Sequence, residues 1–311
     1  MSIHVHANFL THYGVASNNR GETSGVVATL QKICWGGSMH TTVSSEAIRA
    51  AIRSCIPEGE RNRVETPDGG FAFKDKTFSS PYVDDIAMGW MDAQAPKFDG
   101  SDVADNKETN GKGKNGRTPK QKGTCNARRG IFEANRMVSL TPWQYDVSFN
   151  VGRKGSNLGS KKADHGNIFG SEMHATRYQW PFTLTPENVP EQFREQILRF
   201  LGYTTQASHV AGNHSRYAFD YSPESIIVRV THSFSSRIMY CFDEDGGASK
   251  LIKQVEMGDI DAKELIIGGF FADTDDGKKL ASLGAFVPNP HGVSKAMEEV
   301  VRRTRSLCGW E

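Results

Sequence analysis

Between Gly36 and Arg53 the chain reads GGSMHTTVSSEAIRAAIR: two glycines, a histidine, two threonines and three serines ahead of a basic, helix-like segment. The start of a helix offers unpaired backbone N–H groups and partial positive charge, and Thr41, Thr42, Ser44 and Ser45 add hydroxyl donors where a phosphate would sit. Arg49 lies one turn further in, and its planar guanidinium suits a pair of phosphate oxygens. The same residues also permit a purely structural role, in which the serines cap the helix and the arginines face water. Arg53 is placed in that solvated group.

Other residues raise chemistry that their surroundings do not support. His4 and His6 share one strand face and, with His12 or His40, would form a metal site, but no carboxylate stands beside them and H-E-x-x-H is absent. Edge-of-core histidines account for them better. Asp84 and Asp85, neighbours on an expected strand, would point to opposite faces and could not easily chelate one ion. Asp273, Asp275 and Asp276 read as a solvated turn without the closing Glu of a calcium loop. The chain lacks G-x-S-x-G, a P-loop and a strand-borne G-x-G-x-x-G, so no cofactor is implied.

The elements that would position these residues follow from periodicity. Ile3 to Leu10 alternates as a half-buried first strand, with a loop, THYGVASNNRGE, after it. Ala47, Ile48, Ala51, Ile52, Cys55 and Ile56 recur at helical spacing behind Ser44 or Ser45, and Pro57 with Gly59 ends that helix. Residues 94–127 carry almost no large apolar side chain and form an insertion. Strand-like stretches at 144–151 and 175–184 flank the basic, glycine-rich residues 152–174, as a long hairpin with a polar tip would. Asn188 and Glu191 suggest a capping pair for a helix with the stripe Phe193, Ile197 and Leu201, stopped at Gly202. Strands at 225–232 and 237–242, joined by SFSS, then one at 264–271 and a closing helix at 293–304 complete an α+β pattern of split βαβ type.

At 311 residues, 37% hydrophobic and 23% charged, the chain has the makeup of a globular protein. No apolar run reaches the ~20 residues of a membrane helix and the N-terminus has no signal-peptide pattern, so the expected location is cytoplasmic. Five scattered cysteines without a CxxC suggest reduced thiols. The 37 basic and 36 acidic residues nearly cancel, yet Lys107 to Lys122 holds six cations against Glu108, and Arg153, Lys154, Lys161 and Lys162 cluster without an acid. Basic segments confined to loops fit a polyanion held locally.

Asn19-Arg20, Gly36-Gly37 and Val43-Ser44-Ser45-Glu46 with the helix bearing Arg49 and Arg53 resemble the N-terminal signature of the CRISPR-associated Cas-seven proteins. The run SGVVATLQKICWGGSMHTTVSSEAIRAAIR is most similar to the DevR/Cst branch of type I-B-like systems. DDIAMGWM (Asp84 to Met91), RRG followed by VSLTP (Arg128 to Pro142), and THSFSSR (Thr231 to Arg237) resemble later blocks of that branch; residues 94–127 depart from it.

The resemblance implies one Cas-seven-type domain with an RRM-like (ferredoxin-like) palm made of 1–56, 140–151 and 175–311. It further implies finger insertions within about 57–139 and a thumb hairpin at 152–174. The implied role is a non-catalytic backbone subunit of a Cascade-like complex, stacked head to tail on guide RNA that pairs with a target DNA strand. Subunits of Cas-five, Cas-six and Cas-eight type would be its partners, and no membrane is involved. RNA would be held at Asn19, Arg20, Lys32, His40, Ser44, Ser45 and Arg49 in the palm and at Arg153, Lys154, Lys161 and Lys162 in the thumb. Arg128, Arg129 and Arg136 either line the same groove or serve the sheet. Holding any guide sequence favours contacts to phosphate and ribose over base edges.

Two rivals remain open. Related type III backbone subunits are metal-dependent ribonucleases that use an aspartate in the loop after the first strand, where this chain has only Glu22. A self-assembling structural protein would carry the basic loops as mere solvated surface.

Overall fold

The structure is a computed structural model that describes residues 2–17, 19–68, 70–77, 82–94, 124–151, 168–207, 210 and 219–310. Its frame is an eight-stranded antiparallel sheet. The strands are β1 (His4–Thr11), β2 (Lys32–Trp35), β3 (Ser38–Val43), β4 (Phe132–Ala134), β5 (Met137–Ser139), β6 (Tyr178–Leu184), β7 (Pro223–Thr231) and β8 (Leu265–Gly269). They lie in the order β8-β7-β1-β6-β5-β3-β2, with β4 on β6 beside β5. Helices are α1 (Ser45–Cys55), α2 (Val83–Met88), α3 (Arg194–Thr204), α4 (Ser249–Glu256), α5 (Asp275–Ser282) and α6 (Val293–Cys308). The α+β class is as expected.

β1 is central because alternate side chains serve two cores. Val5, Ala7 and Phe9 face Ile48 and Ile52 of α1, Ile197 and Leu201 of α3, and Met297 and Val300 of α6 in one buried cluster. Leu10 turns to the other face, in a cluster with Ile227, Leu251 of α4 and Leu280 of α5. Register is fixed on both sides, with Phe9 opposite Trp180 and Ile226. A slip by one residue would move every one of these to the wrong core.

Several expectations are corrected. The loop after β1 contains strands, Gly14–Ala16 paired with His174–Thr176 and Asn19–Ser24 paired with Val27–Leu30. Gly25, at φ +63°, makes the turn of the second pair. The hairpin arm closes on Ile168–Glu172, which pairs with Val147–Val151, while the stretch expected as its second strand becomes β6 of the main sheet.

Asp84 and Asp85 lie on α2 and both are buried. ADTDDG starts a helix: Gly277 N–H donates to the Thr274 hydroxyl at 3.1 Å, and Asp276 accepts from Ala248 N–H at 2.7 Å. Residues 237–242 are not a strand but a turn and irregular backbone, and at their end a buried side chain takes the place of a ladder partner. Gln179 accepts from Phe242 N–H at 3.2 Å and donates to its carbonyl at 3.3 Å. Asn188 does not cap α3; Pro190 precedes a 3-10 turn, Glu191–Phe193, that leads into the helix, which runs past Gly202 to Thr204.

Candidate nucleic-acid interface

The front of α1 is built as its sequence suggests, but its donors are spent internally. Ser44 is the N-cap, its hydroxyl accepting from Ala47 N–H at 3.2 Å. Glu46, in the first turn, is held below the usual carboxylate range by its own backbone N–H and by the hydroxyls of Ser44 and Ser45. The chain's own anion therefore occupies the positive end of the helix.

The strand leading into α1 is buried as well. His40 Nδ1 lies 2.7 Å from the Ser139 carbonyl oxygen. The Thr41 hydroxyl sits 2.7 Å from His174 Nδ1 and 2.8 Å from the Tyr178 hydroxyl. Burial lowers His174 to about 4 and raises the Tyr178 phenol, so both stay neutral around Thr41. Arg136 donates to the hydroxyl of Thr42 at 3.2 Å and to Gln31 at 3.3 Å. It braces β3 while staying partly exposed.

The arginines of α1 also turn inward. Arg49 donates to the Met88 carbonyl at the end of α2, and burial lowers its pKa. Arg53 is not solvated: its Nε lies 3.3 Å from buried Asp84, which also accepts from the backbone N–H groups of Asn62 and Arg63 at 2.8 and 3.1 Å. Asp85 accepts from Asn62 Nδ2 at 2.8 Å and is raised to about 6, chiefly by burial. Lys32 pairs with Glu172 and lies 3.8 Å above the Trp143 ring.

Thus Lys32, His40, Ser44, Ser45, Arg49 and Arg136 do gather around β3 and the start of α1. Arg128 and Arg129 stand apart and outward, on an antiparallel pair formed by Gly89–Gln94 and Thr124–Arg129. A Cβ at Gly89 or Gly130 would collide with backbone across that pair, which locks the base of the hairpin to the end of α2. Arg129 reaches back to Glu133, yet its side chain is 84% exposed. Asn19 lies opposite Leu30 and Arg20 follows it, but their side chains lie outside the described residues, as do Arg153, Lys154, Lys161 and Lys162 entirely.

Sequence reasoning passed over Arg63, exposed beside this group with its guanidinium 5.1 Å from the Phe71 ring, and over exposed Trp35 and Tyr145. Their only signal was exposure, which spacing does not reveal. Among the described residues no three His, Cys, Asp or Glu side chains converge as metal ligands, and no helix is long and apolar enough to cross a membrane. What the surface offers is the guanidinium donors of Arg63, Arg128 and Arg129, suited to phosphate oxygens.

Comparison with known proteins decides the family. A protein of Myxococcus xanthus (strain DK1622) described as "CRISPR-associated protein Cas7/Cst2/DevR" is 39% identical over 285 residues, covering 86% of this chain and 87% of that one. The chain belongs to this CRISPR-associated family. No family model matches it. Its fold is similar to a chain of a "CRISPR RNA-guided surveillance complex" at TM-score 0.53 and 14% identity, covering 97% of this chain and 99% of the other. A second, from a "CRISPR RNA-guided surveillance complex, pre-nicking", gives TM-score 0.56 at 11% identity, covering 97% and 100%. Coverage of 97% of the chain at such low identity means that this fold survives extensive change of side chains.

Proposed function

We propose that this chain is a non-catalytic, guide RNA-binding backbone subunit of a Cascade-type surveillance complex in the cytoplasm. Copies stack head to tail along the RNA, with Cas-five, Cas-six and Cas-eight type subunits completing a particle that pairs guide with target DNA. The observation that carries this reading is the 39% identity to a Cas7/Cst2/DevR protein over nearly the full length of both chains.

The strand-helix-strand-strand-helix-strand sequence β1-α1-β5-β6-α3-β7, with spatial order β7-β1-β6-β5, supports an RRM-like palm. The arm that starts at Val147–Val151 and returns at Ile168–Glu172 supports a thumb. Because Ser44, His40, Arg49 and Arg53 serve the fold, the grip on phosphate falls to exposed Arg63, Arg128 and Arg129 and partly exposed Arg136; Asn19, Arg20 and the thumb cations complete the proposed grip. Phosphate contacts are indifferent to guide sequence, so base pairing supplies specificity.

Co-expression with a guide precursor and the partner subunits tests this. The assembled particle should carry RNA of one length, and a double Arg128→Glu/Arg129→Glu subunit should copurify with less of it. A particle that assembles to the same size without RNA would overturn the reading. Regularly spaced cuts in complementary RNA with a divalent metal, lost in Glu22→Ala, would replace it with the ribonuclease reading.

A further inference from the structure

Asp85 stands where two groups of exposed arginines meet the body of the protein. Its main-chain carbonyl accepts from the N–H of Gly89, the residue at φ +70° that ends α2 and opens the Gly89–Gln94 strand, against which Thr124–Arg129 is paired. Its carboxylate accepts from Asn62 Nδ2 at 2.8 Å, and Asn62 immediately precedes the short hairpin of Arg63–Glu65 and Phe71–Phe73. Asn62 is fully buried and closes the foot of that hairpin. Its Oδ1 accepts from Asp75 N–H at 2.8 Å, its Nδ2 also donates to the Asp75 carbonyl at 3.0 Å, and its main-chain carbonyl accepts from Lys74 N–H at 2.8 Å. One residue of α2 thus joins the Arg128/Arg129 hairpin through its main chain and the Arg63 hairpin through its side chain.

We propose that Asp85 is a positioning residue for the nucleic-acid interface: through Asn62 it holds the Arg63 hairpin at a set distance from the Arg128/Arg129 hairpin, so that both engage one strand together. This rests on the RNA-binding reading above and names the residue that sets the spacing of its cations. Two binding groups held in fixed relation act on one strand at high effective concentration, and the gain vanishes where the geometry forbids simultaneous contact. Holding them in place beforehand also removes an ordering cost from binding.

Stability does not account for Asp85. Asp84 already meets Arg53 and the backbone N–H groups of Asn62 and Arg63. Asp85 lies beside it, 4% exposed, and burial pushes its pKa to about 6 although Arg53 and Arg128 draw it down, so at neutral pH its charge is held at a cost. What that carboxylate adds is the bond to Asn62. A buried polar link of this kind selects one arrangement where apolar packing would permit several. The Arg63 hairpin has need of it, since it is only three residues long on each side and Phe71 is 58% exposed. A two-stranded hairpin of that size has too little core to hold itself. Arg63 moves with it as one body, its guanidinium resting 5.1 Å from the Phe71 ring and 6.0 Å from that of Phe73.

Truncating Asn62 would open the foot of its hairpin, so the test is made at Asp85, whose removal relieves a buried charge. Binding of single-stranded RNA by the intact protein is measured over a range of salt for wild type, Arg63→Ala, Asp85→Ala, the double variant and Asp85→Asn. Arg63→Ala should flatten the log–log salt slope by about 0.7, the value of one phosphate contact on a single strand. Asp85→Ala keeps every cation, yet should flatten the slope at least as much. Adding Arg63→Ala to it should then weaken binding by less than about twofold, because the contact is already lost. Asp85→Asn still accepts from Asn62 and should bind as wild type does. An Arg63→Ala factor that is the same in both backgrounds, a wild-type slope in Asp85→Ala, or equal loss in Asp85→Asn and Asp85→Ala overturns the positioning role and leaves the RNA-binding reading standing. Wild type that binds no RNA ends both.

Discussion

The arginines of α1 and those of the 89–94/124–129 hairpin are the same residue type with opposite fates. Arg53 finds Asp84 and Arg49 finds the Met88 carbonyl, so both join the protein interior. Arg128 and Arg129 stand on a paired ladder that projects them outward, with Glu133 the only carboxylate in salt-bridge reach of Arg129 among the described residues. The difference teaches that a cation is available to a polyanion only where the fold has no buried acceptor for it; the Glu133 carboxylate beside Arg129 is itself exposed. A basic helix at a family signature is not by itself a binding surface.

Removing the internal acceptor should have the largest effect. Asp84→Ala leaves Arg53 and two backbone N–H groups buried without their anion, a loss of about 3–5 kcal/mol by the usual cost of breaking a buried pair. Chemical denaturation would show it as a lower midpoint with an unchanged slope. A loss below 1 kcal/mol would mean that Arg53 is solvated after all.

The next effect sharpens the inner side of the comparison through pH. His174 is about 4 folded against 6.5 unfolded, so the unfolded chain binds the extra proton between those values. Stability from this group is complete above pH 6.5 and is lost as pH falls toward 4, by roughly 3 kcal/mol at 1.36 kcal/mol per pH unit. Asp85 acts with the opposite sign: at about 6 folded against 3.8 unfolded, it costs stability above pH 6 and returns it as pH falls toward 4. Wild type should therefore show a shallow net slope between pH 6 and 4. His174→Gln should gain stability on acidification over that window, and Asp85→Asn should lose it more steeply than wild type; parallel curves would refute both assignments.

Ser44→Ala should cost about 1 kcal/mol as the loss of a helix N-cap, read by the thermal midpoint. Arg129→Ala is the smallest in stability, with no measurable shift in midpoint, because its partner is a surface carboxylate. Its effect belongs in RNA binding, and a destabilised Arg129→Ala would place that residue on the inner side of the divide.

Much of this frame was legible in the sequence. β1, α1 with Ser44 at its cap, and α6 were marked by strong periodicity and local capping chemistry. α4 and α5 were not, since eight residues give too few turns for a stripe to stand out. The non-strand course of 237–242 was illegible for another reason: at its end the N–H and carbonyl of Phe242 are met by the side chain of Gln179, on a strand distant in sequence. The candidate site was legible in residue types and hidden in availability. Nothing near Arg53 announces Asp84, and nothing near His40 announces the Ser139 carbonyl.

The claim that outward cations hold the strand by its phosphates is tested most directly by salt-dependent binding of unrelated single-stranded RNAs to the purified protein. Affinities should agree within a few fold across sequences and fall linearly on a log–log plot against salt, with a shallower slope for Arg128→Glu/Arg129→Glu. Affinities that differ widely by sequence and barely change with salt would contradict it.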